Sequence, residues 1–103
     1  MVEEAILSEC RKIWVDNRLR DDADKFQKFY RAYDEAINDL DTACVAYDVG
    51  RLESKKLIKE FYYEALKYLQ EMIELAEKIN NKKLIDFVKF EATVFENYKK
   101  YLK

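Results

Sequence analysis

The side chains that most often carry out chemistry are scarce in this 103-residue chain. It contains two cysteines, one glycine and no histidine. Without histidine there is no imidazole to activate a nucleophile or to bind a metal. Two cysteines cannot complete a four-thiolate zinc site, and one glycine cannot build a phosphate-binding loop. We therefore predict a protein that is not an enzyme, with no catalytic residue, no cofactor and no bound metal.

The two thiols, Cys10 and Cys44, each fall on an apolar face of a predicted helix. Neither has a neighbouring cysteine or histidine in the sequence to activate it. A redox pair or a disulfide between the first two helices is the functional alternative. Free cysteine is commonly a small buried hydrophobic residue, and we expect two free thiols.

Four aspartates, Asp16, Asp21, Asp22 and Asp24, cluster near the end of the first predicted helix. A calcium loop of the EF-hand type requires a glycine within the loop, and none is nearby. We therefore predict that Asp21 or Asp22 caps the start of the second helix.

Tyrosine is unusually frequent, with eight residues in the chain. A ligand pocket or a base-stacking platform is one interpretation. The helical register of most tyrosines instead favours a position at the bundle boundary, with the ring inside and the hydroxyl in water. Tyr63 is the exception, because it lies off the main apolar stripes, and we expect it to be exposed and available to a partner.

Residues 78–103 are rich in lysine and contain seven lysines and three acidic residues. The whole chain has a net charge of −2, and this stretch has no arginine for bidentate phosphate contacts. We therefore favour a protein partner and keep a nucleic-acid-associated accessory role for this segment as the alternative. The candidate interaction surface consists of Tyr63, Lys82, Lys83, Lys89, Lys99 and Lys100.

Hydrophobic spacing predicts the elements that position these side chains. Apolar residues three and four positions apart indicate helices over 2–16, 22–48, 54–80 and 82–102. The single glycine, Gly50, stands where the second helix needs a left-handed residue to end.

The two long segments differ in their apolar faces. The second has a strict heptad seam, and Asp34, Asp41 and Asp48 form a parallel acidic row on one flank of it. The third is apolar on two adjoining stripes, so we expect it to be the central and most buried helix. The seam residues are Phe26, Tyr30, Tyr33, Ile37, Leu40, Cys44 and Tyr47.

These patterns predict an all-α fold. We expect an up-and-down antiparallel bundle of about four helices, with two long central helices and a shorter first helix. The length suits a single domain over 1–103. The first helix can cover little more than half of the second, so an apolar strip about half a helix long would stay uncovered, and we expect the chain to form a symmetric dimer.

Location and function follow mainly from exclusions. No stretch approaches 18 uncharged apolar residues, and the first twelve residues lack the apolar run of a signal peptide. We therefore expect a cytoplasmic protein that does not enter a membrane. Its predicted function is non-catalytic association with another protein, or with a second copy of itself, as an adaptor, assembly or regulatory subunit.

Overall fold

The computed structural model describes residues 2–103 and contains four α-helices and one 3₁₀ helix, with no strand among these residues. Each helix packs against the next in sequence, and α1 also packs against α4. This ring of contacts, with short connections, confirms the predicted up-and-down antiparallel bundle. The elements are α1 (Val2–Trp14), α2 (Arg20–Asp48), α3 (Ser54–Ile79), α4 (Lys82–Phe95) and a C-terminal 3₁₀ helix (Glu96–Leu102).

The antiparallel pair of α2 and α3 forms the centre of the fold, which measures 50 × 20 × 19 Å. Along the heptad seam Phe26 and Leu40 are fully buried, while Ile37 and Tyr47 are half-buried. α3 packs against α2 on one side and against α4 and the 3₁₀ helix on the other. Its two apolar stripes are therefore both covered, which confirms its predicted central position.

The turns that end α2 and α3 use the residues that tolerate left-handed backbone. Gly50 has a φ of +102°, and its N–H donates to the Tyr47 carbonyl while the Arg51 N–H donates to the Ala46 carbonyl. This pair of bonds is a Schellman motif, and Gly50 occupies the predicted position in it. Asn80 ends α3 with a φ of 59°.

The start of α2 differs from the prediction, whereas α3 begins at Ser54 as predicted. α2 begins at Arg20, so Asp21 and Asp22 lie in its first turn and do not cap it. Asp22 is instead buried and paired with Lys78 of α3, 3.3 Å away, a tertiary contact that no local pattern contains. Ser54 is the first helical residue of α3 and makes no capping bond.

Asn81 caps the start of α4. The Asn81 side chain accepts a hydrogen bond from the Leu84 N–H, 3.1 Å away. The same side chain donates to Glu9 of α1 at 3.2 Å, so it also ties α4 to α1. A cap of this kind stabilises a helix by about 1 kcal/mol.

Two predicted helices are shorter than expected. α1 ends at Trp14, whose ring is covered by the Arg20 guanidinium 3.9 Å from its centroid, and Val2 at its start is 64% exposed. The α-helical part of the last segment ends at Phe95 and continues as the 3₁₀ helix.

The helices differ greatly in length. α1 has 13 residues and α2 has 29, which correspond to about 20 Å and about 43 Å at 1.5 Å per residue. α1 can therefore lie beside no more than about half of α2, and beyond it α2 receives hydrogen bonds from Tyr98 and Tyr101 of the 3₁₀ helix. Among residues 2–103, no helix combines the length and apolar content that crossing a bilayer requires.

Candidate interaction groove

A groove occupies the space that a longer α1 would fill. It runs between α2 on one side and α4 with the 3₁₀ helix on the other, and we call it the α2–α4 groove. Two separate cavities lie along it, an inner one of about 440 Å³ beside the start of α1 and an outer one of about 360 Å³ towards the end of α2, and about one helical turn of α2 separates their linings. A long concave surface of this kind is suited to an elongated segment rather than to a small ligand.

The inner cavity is built where the first turn of α1 ends against α2 and α4. Val2 and Ile37 contribute apolar surface, and the Tyr30 and Phe87 rings meet edge to face with centroids 5.5 Å apart. Burial raises the pKa of Tyr30 to about 12, so its hydroxyl stays protonated near neutral pH.

One hydrogen bond joins the two walls of the inner cavity. The Tyr33 hydroxyl on α2 donates to Glu91 Oε1 on α4 at 3.1 Å. Burial raises the pKa of Tyr33, and the negative charge and hydrogen bond of Glu91 raise it further. Burial also raises the pKa of Glu91, while the Tyr33 hydrogen bond acts in the opposite direction. A carboxyl group in the apolar stripe of α4 is therefore explained by a tyrosine partner.

The outer cavity is closed at its base by the 3₁₀ helix. Tyr98 donates to Asp41 Oδ1, and Tyr101 donates to Asp48 Oδ2 at 2.8 Å. Residues three apart eclipse each other in a 3₁₀ helix, so both tyrosines point towards α2. A continued α-helix would rotate them away from each other, which gives a physical reason for the 3₁₀ geometry here.

Cys44 forms part of the wall of the outer cavity, and its side chain is buried. Burial raises its pKa to about 11, and the nearby Asp41 and Asp48 carboxylates add to this effect. Cys10 is buried under α1, where burial and then Glu9 raise its pKa to about 11. Both cysteines are unbridged thiols in the structure, as predicted.

The rim of the groove carries exposed apolar side chains from both walls. Val45 of α2 is 62% exposed and Val94 of α4 is 38% exposed. Phe90, which is 64% exposed, lies one turn before Val94 on the same helix. Apolar surface on both rims is what a helix with an apolar face would bury on docking.

The lining of the groove is mainly acidic. Five carboxylic side chains and one lysine, Lys100, line its two cavities. The five acidic residues are Glu3, Asp34, Asp41, Asp48 and Glu91.

The structure spreads the five lysines of the predicted surface along α4 and the 3₁₀ helix. Lys82 and Lys83 lie in the first turn of α4, and Lys89 lies two turns further on, while Lys99 and Lys100 are in the 3₁₀ helix. Three of them form ion pairs, which are Lys82 with Asp86 at 3.7 Å, Lys83 with Glu9 at 3.6 Å and Lys99 with Glu96 at 2.8 Å.

Tyr63 lies on α3 and is 52% exposed, as expected from its register. Its ring packs edge to face on Tyr62, with centroids 5.2 Å apart, and Tyr62 in turn stacks on Phe95. Of the predicted surface residues, only Lys100 lines the α2–α4 groove.

The acidic row on α2 is visible in the sequence, but no function was predicted for it. Val45, Val94 and the two tyrosines of the 3₁₀ helix were not predicted to form one surface with it. The available signal was the seven-residue spacing of Asp34, Asp41 and Asp48 next to a first helix too short to cover them.

Comparison with protein-family models, curated proteins and solved structures finds no significant match to this chain. Within residues 2–103, no three His, Cys, Asp or Glu side chains are grouped so that they could hold a metal ion.

Proposed function

We propose that the protein is a non-catalytic binding module that holds one helix of another protein in the α2–α4 groove. The observation that carries the proposal is the length of α1, which is too short to continue beside the second half of α2. Among residues 2–103, one half of the α1 position in the four-helix bundle is therefore free of a helix. α1 fills one half of that position, and a partner helix of about 15 residues, some 23 Å long, would fill the other. Helix-in-groove binding is a common mode of peptide recognition.

The rim and floor of the groove support this kind of partner. Val45 and Val94 offer exposed apolar surface on opposite walls, and the buried Cys44 lies in the lining of the outer cavity. A docked helix would bury this surface as a fourth helix does in a complete bundle.

The chemistry of the chain supports binding rather than catalysis. The chain has no histidine, and both cysteines have a pKa of about 11, so they are protonated thiols near pH 7. A protonated, buried thiol is a weak nucleophile. We also propose a cytoplasmic location, where two free thiols are the usual state of cysteine.

A designed peptide tests the proposal. The probe is an uncharged amphipathic helix of about 18 residues with leucines at three- and four-residue spacing and glutamine elsewhere, labelled for fluorescence anisotropy. We expect Val45→Ser/Val94→Ser to weaken its binding about thirtyfold, because the two serines together remove about 2 kcal/mol of apolar contact.

The matched control is Val15→Ser/Leu57→Ser, which changes two apolar residues, 73% and 46% exposed, that line neither cavity of the groove. The control variant should bind the peptide as the parent chain does. No binding at millimolar peptide, or equal losses in both double variants, would rule out the groove as a helix-binding site.

A further inference from the structure

We infer that the helix bound in the α2–α4 groove is a basic amphipathic helix that carries lysine or arginine at seven-residue intervals. This inference rests on the proposed function and adds the chemistry of the partner. It is carried by the acidic row of α2, which consists of Asp34, Asp41 and Asp48.

The acidic row has no cationic partner among residues 2–103. The Asp34 side chain makes no hydrogen bond or ion pair there, and the two other carboxylates each accept only a tyrosine hydroxyl. A carboxylate has two oxygens and accepts several hydrogen bonds, so an ammonium or guanidinium group can still bind each one.

The spacing of the row matches a helix lying beside α2. Residues seven apart on a helix are two turns, or about 10.5 Å, apart on nearly the same face. Three basic residues with the same spacing in the partner would therefore each face one aspartate over about 21 Å. The apolar residues between them would face the Val45 and Val94 side chains on the rim.

The charge of the remaining groove favours the same partner. Glu3 and Glu91 add two more carboxyl groups to the inner cavity, and Lys100 is the one basic side chain in the lining. Opposite charge on the partner speeds association and excludes acidic helices, in which like charges would face each other.

A second copy of the folded chain does not supply such a helix. The lysines on the outer side of α4, Lys82 and Lys89, are seven residues apart, but the next position at this spacing is Glu96, so α4 lacks a third basic residue to face the acidic row. We therefore assign the partner helix to a different protein.

The test compares three peptides that differ only in charge. They share the leucine face of the uncharged probe and carry lysine, glutamine or glutamate at three positions seven residues apart. We expect the lysine peptide to bind the full chain about tenfold more tightly than the glutamine peptide, and the glutamate peptide to bind most weakly. At about 1 M salt the three affinities should converge, because screening shortens the range of charge interactions to about 3 Å.

The groove variant Asp34→Asn/Asp41→Asn/Asp48→Asn should lose the preference for lysine. Asparagine still accepts the tyrosine hydroxyls, so the 3₁₀ helix should stay in place, and its circular dichroism and melting temperature verify that. The matched control is Asp21→Asn/Glu35→Gln/Asp39→Asn, which removes the same charge from three exposed positions on the outer side of α2. It should keep the preference.

The outcomes separate the two proposals. Equal affinity for the three peptides would overturn the basic partner while leaving the helix-binding function standing. Failure of all three to bind would overturn both. Sedimentation showing a stable dimer that the groove variant dissociates, and the control variant does not, would assign the groove to a second copy and also overturn the basic partner.

Discussion

Tyr33 and Glu91 form a hydrogen bond across the bundle, from α2 to α4, with 3.1 Å between their oxygens. Tyr33 is 3% exposed, and Glu91 lies in the apolar stripe of its helix. The bond therefore replaces the water that both groups lose on folding, and it joins the two walls of the groove at the point where α1 begins.

Substitutions of Glu91 should separate its hydrogen bond from its charge. Glu91→Gln keeps an oxygen acceptor for Tyr33 and removes a charge that burial disfavours, so we expect the free energy of unfolding to stay equal or to rise slightly at pH 7. Glu91→Ala leaves the buried Tyr33 hydroxyl without an acceptor and should lower the free energy of unfolding by about 1–3 kcal/mol. Urea unfolding of both variants checks this, and equal losses in both would contradict the hydrogen-bond account.

The central position of α3 predicts a strong response to buried charge. Met72 is 0% exposed and Leu69 is 2% exposed, so Met72→Asp and Leu69→Asp should each lower the free energy of unfolding by more than about 3 kcal/mol. Leu57→Asp, at a position that is 46% exposed on the same helix, is the control and should cost little. A buried variant that melts within a degree or two of the parent would show that α3 is not central.

The fold was predictable because its apolar pattern is regular. The heptad seam of α2 and the double stripe of α3 each follow from side-chain spacing alone, and the structure buries both. The helix starts were not predictable in the same way. Asp22 is of a residue type that often caps helices, but it pairs with Lys78 of another helix. Such a tertiary contact outweighs a local preference.

The groove was predictable in part. The short first helix indicates an uncovered strip on α2, and the acidic row beside it is visible in the sequence. The change from α-helix to 3₁₀ helix after Phe95 was not predictable, because it depends on Tyr98 and Tyr101 meeting carboxylates on a distant helix. The ion pairs of Lys82 with Asp86 and of Lys99 with Glu96 have the four- and three-residue spacing of a helix, whereas the pairing of Lys83 with Glu9 of α1 is a tertiary contact that no local pattern contains.

Both thiols should be free and slow to react. Each cysteine has a pKa of about 11 because it is buried, so little thiolate exists at pH 8. We expect iodoacetamide to add no group to the native chain within minutes and two groups once the chain is unfolded without reductant. Intact mass measures both results. An unfolded chain that is 2 Da lighter and takes up no group would reveal a disulfide instead.

The two tyrosines of the 3₁₀ helix should hold that helix on α2. Tyr98→Phe/Tyr101→Phe removes both hydroxyl donors and keeps the rings, so the packing of the rings on Phe95 and Tyr47 is preserved. We expect amide exchange over 96–102 to become about tenfold faster, with the core of α3 unchanged.

The control for this variant is Tyr63→Phe, which removes a hydroxyl from an exposed tyrosine on α3. Exchange over 96–102 should then equal that of the parent chain. If the double variant also exchanges like the parent, ring packing rather than hydrogen bonding holds the 3₁₀ helix.

Raising the pH should unfold the protein through its buried tyrosines and thiols. Folding raises the pKa of Tyr30 and Tyr101 to about 12 from an ordinary value of 10.0, and that of Cys10 and Cys44 to about 11 from 9.0. For Tyr101 the hydrogen bond to Asp48 is the main cause, whereas burial is the main cause for the other three. The unfolded chain therefore loses these protons first, so the free energy of unfolding is fully retained below about pH 9 and falls as the pH rises from about 9 to 12. We expect the loss of helical circular dichroism in that window to coincide with a cooperative rise in tyrosinate absorbance.

Tyr30→Phe should move the midpoint of this unfolding to higher pH, since phenylalanine has no proton to lose, whereas Tyr63→Phe should leave the midpoint in place. Tyrosines that titrate gradually from pH 10 with the helices intact would contradict the burial of these hydroxyls.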